Sequence, residues 1–519
     1  MKDRIIKSRK LLYAILSIAL AVSFTSCLDD LNTVPQGPNV ELDPYADASN
    51  YPMLIAKVYA GFSKLGITGP DKDGDIPSSS DQGKTTFLRT YFNIQELTSD
   101  EAKCAWSDID ERNYSQTFLT PDNYIGYMLY QRCMLNIVFA NEFLKNTQVP
   151  RVEVDHLDRS RAEVRVLRAM NYYFLLDVYG NPGWVTEDHP VTYIPQQLGR
   201  EGMFNWVESE LLDIEKSGVL LDQSASTYGL ITNQVLQTVL AKMYINAEVY
   251  TGKARWNDAL TYAKKVTSYS NLQLEGTYQN LFCADNDRSK EIIFTLPYDN
   301  KLATDWGGIV FVMASSTGGD MLSLLDFTAS WSGNRATQQL SGLFANNDKR
   351  ALFFKTDRDQ NMTDLGNFNK GWSVMKFTNK GWDGATNVNG PGQWADTDFP
   401  LFRLADVILI QAEAELRLGD AANALTTYNK VHAHPRTGLS AATSITLQDI
   451  LNERGRELYW EGQRRTDLIR FGKFTKGYNW AWKGGSQNGG DIDDKYNLLP
   501  ISTKHLTGNP ALVQNELYK

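Results

Sequence analysis

One stretch near the C-terminus, Ser444–Phe474 (SITLQDILNERGRELYWEGQRRTDLIRFGKF), constrains the chain more than any other, because it sets charge inside an apolar helical stripe. Thr446 is a candidate N-cap, and Asp449 three residues on can close a capping box. Leu447, Ile450, Leu451, Leu458 and Glu461 recur on one face at helical spacing, with Arg454 among them, and Gly462 is expected to end the helix. Leaving a charge buried and unpaired is costly. Arg454 and its neighbours Arg456, Arg464 and Arg465 are therefore expected to meet acids such as Glu457, Glu461 or Asp467. The pattern reads as an architectural salt-bridge network rather than a catalytic centre, since charge runs commonly serve structure or solvation.

The N-terminus decides the compartment. Lys2, Arg4, Lys7, Arg9 and Lys10 form a basic region, and the apolar run Leu11–Phe24 is too short for a comfortable membrane span. Phe24-Thr25-Ser26-Cys27 resembles a bacterial lipobox, in which the cysteine becomes the acylated first residue. The competing reading is a plain secretory signal that happens to contain a cysteine. Residues 1–26 are expected to be a lipoprotein signal peptide, with Cys27 lipidated and 27–50 serving as anchor and tether. Asp29 and Asp30 resemble an acidic export signal to the cell surface. Buried acyl chains contribute about 0.8 kcal/mol per CH₂ and would hold the chain firmly.

At 519 residues the chain can bury a large core and hold more than one subdomain. Its net charge of −9 argues against a nucleic-acid partner, which needs a basic surface. Of the four cysteines, Cys27, Cys104, Cys133 and Cys283, no two form a CxxC pair, and three cannot make a disulfide framework. His432 and His434, two apart, do not share a helical face and read as a helix-end feature rather than a metal site.

Helices are expected over 51–65, 123–144, 159–179, 203–215, 232–250, 256–268, 402–418 and 421–431, with Gly66–Lys84 a loop and Thr85–Leu97 extended before a turn. Ala241, Gly252 and Ala259 recur in form as Ala412, Gly419 and Ala424, small residues that let antiparallel helices pack closely. The fold expected is mainly α: tetratricopeptide-like helix pairs, against the plainer alternative of generic helical hairpins. Between Leu272 and Phe399 helical periodicity fades and Gly, Asn, Asp and Thr increase. The division is thus an N-terminal helical scaffold (51–271) with a binding loop (66–112), a loop-rich binding subdomain (272–400), and a C-terminal helical scaffold (401–519). Long irregular segments on a helical scaffold are usually functional.

No G-x-S-x-G, P-loop, H-E-x-x-H or Rossmann fingerprint is present, and no metal or cofactor motif stands out. Carboxylates are plentiful, so composition alone leaves a glycosidase pair open. Binding features are better marked. Trp106, Trp306 and Trp331 lie in KCAWSD, ATDWGG and TASWSG, settings poor for core packing. Exposed indoles can stack on the apolar face of a pyranose while acids, amides and Arg bond its hydroxyls. The alternative is that each ring packs against its own loop.

The run Glu457–Gly472 (ELYWEGQRRTDLIRFG) closely resembles the C-terminal signature of the SusD/RagB family, outer-membrane lipoproteins that bind glycans or peptides. Ala162–Glu187 and the closing Asn509–Asn515 (NPALVQN) resemble the family too. Asp81–Trp106, Asp305–Gly308, Trp394–Asp406 and Trp480–Gly490 look like its starch-binding branch. The resemblance implies an arc of Trp106, Trp306 and Trp331 cupping an α-glucan such as starch or a maltooligosaccharide, with Arg89 and Asp81 bonding hydroxyls. Trp306 stands where the branch has Tyr, which keeps the stacking face but loses the hydroxyl, and Ile109 where it has Asn, so one polar contact is lost unless Asp108 or Asp110 replaces it. It also implies a non-catalytic lid, without cofactor, on a SusC-like TonB-dependent outer-membrane transporter at the cell exterior. Rival readings are a different glycan or a peptide ligand, a surface glycoside hydrolase, and a purely architectural lid.

Overall fold

The computed structural model describes residues 43–78 and 81–519. The signal peptide, Cys27 and the tether over Leu28–Asn39 lie outside the described residues. Residues 43–50, expected within the tether, are docked: Tyr45 is buried against Tyr51 and Phe143.

The main helices are α1 (Tyr51–Ser63), α2 (Phe87–Leu97), α3 (Tyr124–Asn146), α4 (Leu157–Tyr179), α5 (Arg200–Ser217), α6 (Asn233–Ile245), α7 (Trp256–Thr267), α8 (Leu404–Arg417), α9 (Ala421–His432), α10 (Leu447–Leu458) and α11 (Arg464–Arg470). Pairs α3/α4, α6/α7 and α8/α9 pack as hairpins, and α7 packs on α8 although some 137 positions separate their ends in sequence. The mainly α scaffold of stacked helix pairs is thus as the periodicity implied. Ala241, Ala259, Ala412 and Ala424 are fully buried where helices meet. Gly252 and Gly419 do something else: each takes positive φ (73° and 87°) just past a helix, which glycine adopts without Cβ strain.

Two expectations need correcting. Thr85–Leu97 is not extended. Residues 87–97 form α2, and every one of them is buried; Phe87, Leu88, Tyr91, Ile94 and Leu97 recur at helical spacing, and that spacing prevails over the strand preference of the aromatic and β-branched residues in the segment. Nor does the C-terminal helix run to Gly462. The Thr446/Asp449 capping box is present, but α10 stops at Leu458, Tyr459 is extended, and Trp460 sits buried at φ 66°. Two buried acids, Glu96 in the last turn of α2 and Glu101 just beyond it, hold that turn: Glu101 accepts from Trp460 N (3.0 Å) and Glu96 from Gly462 N (2.7 Å).

The charged stripe becomes a buried network. Glu457 accepts from Arg403 (2.6 Å), Arg436 (2.6 Å) and Arg350 (2.9 Å); Glu461 meets Lys376 (2.6 Å) and Arg403 (2.7 Å). All these side chains are fully covered. Arg454 bridges Asp406 and Asp467, Arg464 pairs with Asp100, and Arg456 pairs with Glu453. Arg465 departs from expectation and donates to the Tyr496 carbonyl instead. Burial opposes ionisation of Glu457, but the guanidiniums of Arg436, Arg403 and Arg350 outweigh it and hold its pKa well below the usual range. The network clamps the loop-rich region, through Lys376 and Arg350, onto α10. His432 ends α9 and pairs with Glu453, a helix-end role.

Within 272–399 the apolar run at 292–296 is a strand pairing antiparallel with Phe399–Arg403, while 309–314 is a short helix. Cys104, Cys133 and Cys283 are buried and free. No helix among the described residues is long and apolar enough to cross a membrane.

Candidate functional site

Two loop segments meet because a short ladder joins them. Residues Ala102–Cys104 (β1) pair antiparallel with Asn334–Ala336 (β2), and the pairing continues as Ala105 N donates to Gly333 O (2.9 Å). The residues just beyond, Trp106 and Trp331, are thereby set side by side. Trp106 Nε1 donates to Trp331 O (3.1 Å), and the ring centroids lie 6.5 Å apart. Gly333 leaves room for this: a Cβ there would fall 2.2 Å from Trp106 Cε2.

Trp306 arrives from a second clamp. Asp305, fully buried, accepts from Leu65 N (2.6 Å) and Gly307 N (2.6 Å), and burial pushes its pKa up to about 6. The Gly307 carbonyl in turn receives Arg89 N (3.1 Å) and Thr86 Oγ1 (2.8 Å) at the start of α2. These bonds hold the Trp306 ring 5.9 Å from Trp331, and its Nε1 donates to Asp71 (2.8 Å). The loop at 66–84 and the Trp306 loop are thus tied together.

The three rings expected from the sequence form one contiguous, half-buried cluster. Phe311 lies beneath it, 6.3 Å from both Trp106 and Trp331. A fourth ring, Trp394, packs on Trp306 at 4.3 Å. Trp394 lies within a motif that resembles the starch-binding branch but carries no expected role; its WADTD setting matches the loop-like surroundings that single out the other three.

The polar residues divide by depth. Asp81 caps Gly83 N (3.0 Å) and pairs with Arg89 (2.7 Å), keeping 42% of its side chain exposed. Arg89 is only 5% exposed, with its guanidinium 4.4 Å over Phe311 and 3.7 Å from Glu111. It underpins the cluster rather than presenting a free fork. Asp108 is 53% exposed and 3.4 Å from Lys84. Burial opposes the Lys84 charge, but the Glu111 carboxylate outweighs it and raises the pKa. Of the two acids flanking Ile109, Asp110 is engaged in accepting from Tyr124 N (2.9 Å), so Asp108 is the one left toward solvent. Aromatic faces bordered by carboxylates can bind a ligand with apolar faces and many hydroxyls.

The profile of the SusD family matches residues 290–518. Over its full length the chain is 30% identical to the starch-binding protein SusD of Bacteroides thetaiotaomicron, covering 100% of both chains. The chain belongs to the SusD family. A SusD-like protein of Bacteroides ovatus is 24% identical over 76% of this chain and 80% of its own. Among solved structures, a SusD-like carbohydrate binding protein from Bacteroides fragilis superposes with a TM-score of 0.72 at 17% identity, over 91% of this SusD-family chain and 100% of its own. Surface glycan-binding protein A from Bacteroides thetaiotaomicron, solved with laminarihexaose, gives 0.68 at 18% identity over 90% and 99%. These likenesses agree on the SusD fold.

Proposed function

We propose that the protein captures α-glucan, as starch or maltooligosaccharide, on the Trp106–Trp331–Trp306 cluster. The observation that carries this reading is the contiguous set of indoles, half-exposed and held from beneath by Phe311 and Arg89. Sugar rings would stack there, with Asp81 and Asp108 accepting from hydroxyls and Arg89 fixing Asp81. The 30% identity to a starch-binding relative supports the same ligand class. Cys27 would carry the lipid anchor at the outer-membrane surface, and the protein would pass its glycan to a SusC-like TonB-dependent transporter.

A binding rather than a hydrolytic role is favoured by the acids at the cluster edge. Asp81, Asp108 and Glu111 are each committed to Arg89 or Lys84. A glycosidase needs one carboxyl free to give a proton and a second on the opposite side of the bond. A second reading keeps the site and changes the glycan, since a relative of the same fold was solved with laminarihexaose. A panel of α-glucans, β-glucans and peptides immobilised on an array, read alongside a reducing-end assay on starch, tests the proposal. Selective retention of α-glucan without new reducing ends is expected. Preference for laminari-oligosaccharides or peptides, or release of reducing ends, would displace it.

A further inference from the structure

One residue along the chain from Trp331 a groove of about 310 Å³ opens, at the lower end of the range for small-ligand sites of about 300–1,000 Å³. Ser332, which follows Trp331 in sequence, is one of its walls, although none of the tryptophans lines it. Its other walls are the turn at Gly318–Asp320 and the segments 354–358 and 368–369.

The chemistry of these walls suits a polyhydroxylated chain. Among the described residues, the side chains of Asp320, Thr356, Asp357 and Asn369 make no hydrogen bond or ion pair within the protein, unlike Asp81 and Asp108 at the cluster. Carboxylates, a hydroxyl and an amide are the groups that accept from and donate to sugar hydroxyls. Phe354 and Phe368 supply apolar surface, and Phe368 is 40% exposed. Arg358 is held in place by donating Nη1 to the Phe368 carbonyl (2.8 Å) and has no acid partner among the described residues, so its remaining donors are uncommitted. Ser332 and Asp357 are non-glycine residues at positive φ (52° and 56°), conformations that cost free energy and persist where surrounding structure enforces them. With two acids and one guanidinium, the groove does not favour an anionic ligand.

We propose that this groove is an extension subsite for a neutral glycan: a chain stacked on the tryptophans continues past Trp331 and bonds through its hydroxyls to Asp320, Thr356, Asp357 and Asn369. This rests on the glycan reading of the cluster itself. It predicts that affinity depends on chain length and that the dependence resides in the groove.

The test titrates the purified protein and its Asp320→Asn/Asp357→Asn variant with maltotriose and with maltoheptaose. Asparagine keeps the shape and tolerates the positive φ of residue 357, so folding is preserved; a melting curve checks this. A second variant, Phe368→Ala, removes apolar wall without touching the strained residue. The wild type should bind maltoheptaose more tightly than maltotriose. Both variants should lose about three- to tenfold in maltoheptaose affinity, the loss expected from one or two hydrogen bonds or a ring contact, with maltotriose unchanged. Unchanged maltoheptaose affinity in both variants would overturn the subsite, as would an equal loss for both sugars. Failure of the wild type to bind either sugar is a different result. It would overturn the cluster reading, and the subsite with it.

Discussion

Gly333→Ala tests how the protein positions its recognition surface. The backbone φ at Gly333 is not in the left-handed region, so the substitution brings no conformational strain of its own. Its effect is steric. The new Cβ would lie 2.2 Å from Cε2 and 2.4 Å from Nε1 of Trp106. Carbon atoms rest about 3.5–4.0 Å apart, so the indole must retreat by more than about 1 Å. The Trp106 Nε1 bond to Trp331 O, 3.1 Å in the native protein, cannot survive that shift in its present form. Overpacking of this kind costs about 1–3 kcal/mol of stability, which a chain of this size tolerates. Taking the stacking contribution of one ring as about 0.5–1.5 kcal/mol, affinity for a maltooligosaccharide should fall about two- to tenfold. Titration calorimetry gives the affinity, and a thermal melt shows that the variant is folded. A folded Gly333→Ala protein with wild-type affinity would refute the argument that the position of Trp106 matters to binding.

Three further outcomes follow from the buried charges and thiols. Glu457→Ala leaves the Arg350, Arg403 and Arg436 guanidiniums short of a shared acceptor in full burial, and should cost about 3–5 kcal/mol in denaturant unfolding; a loss below about 1 kcal/mol would contradict the network's role. Burial raises the folded pKa of Glu96 and Asp398 to about 7 and of Asp305 to about 6, so their contribution is fully present below about pH 4 and lost as pH rises through 6–7. For Asp406, Glu453 and Glu457 burial is outweighed by neighbouring cations and the folded pKa is lowered, so their contribution is present above about pH 4.5 and lost on further acidification. Melting temperature should therefore peak on the acidic side, at about pH 4–4.5 where the two sets of contributions cross, and a curve flat from pH 3 to 8 would contradict this assignment. Cys104, Cys133 and Cys283 are buried with thiol pKa values pushed up, to about 12 for Cys283, so a thiol reagent should label them only after denaturation; rapid native labelling would contradict their burial.

What the sequence revealed depended on whether a residue's role was local. The Thr446/Asp449 box and the helices with a clear apolar stripe were legible because neighbours in sequence are neighbours in space. α2 was not, because its Phe, Tyr, Thr and Ile residues favour strands and mask apolar positions that do recur at helical spacing. The break after Leu458 was hidden by distance: the acids that hold Trp460 and Gly462, Glu101 and Glu96, lie more than 350 residues away. At the candidate site the three tryptophans could be named from their loop settings and from the family resemblance. Their assembly could not, since the Trp106–Trp331 contact depends on a three-residue ladder between positions 102–104 and 334–336 and the placement of Trp306 on the Asp305 clamp. Arg89 illustrates the same limit. Its presence was legible, but its depth beneath Asp81 comes from α2 and Phe311.

The central claim is that the tryptophan cluster binds α-glucan. Calorimetric titration of the purified protein with a maltooligosaccharide long enough to span three rings tests it most directly, with Trp306→Ala and Trp331→Ala in parallel. The account predicts saturable binding by the wild type, and marked weakening in both variants with the fold intact. Absence of heat from folded wild type would contradict it. So would variants that melt far lower yet bind as before, which would make these indoles core rather than recognition residues.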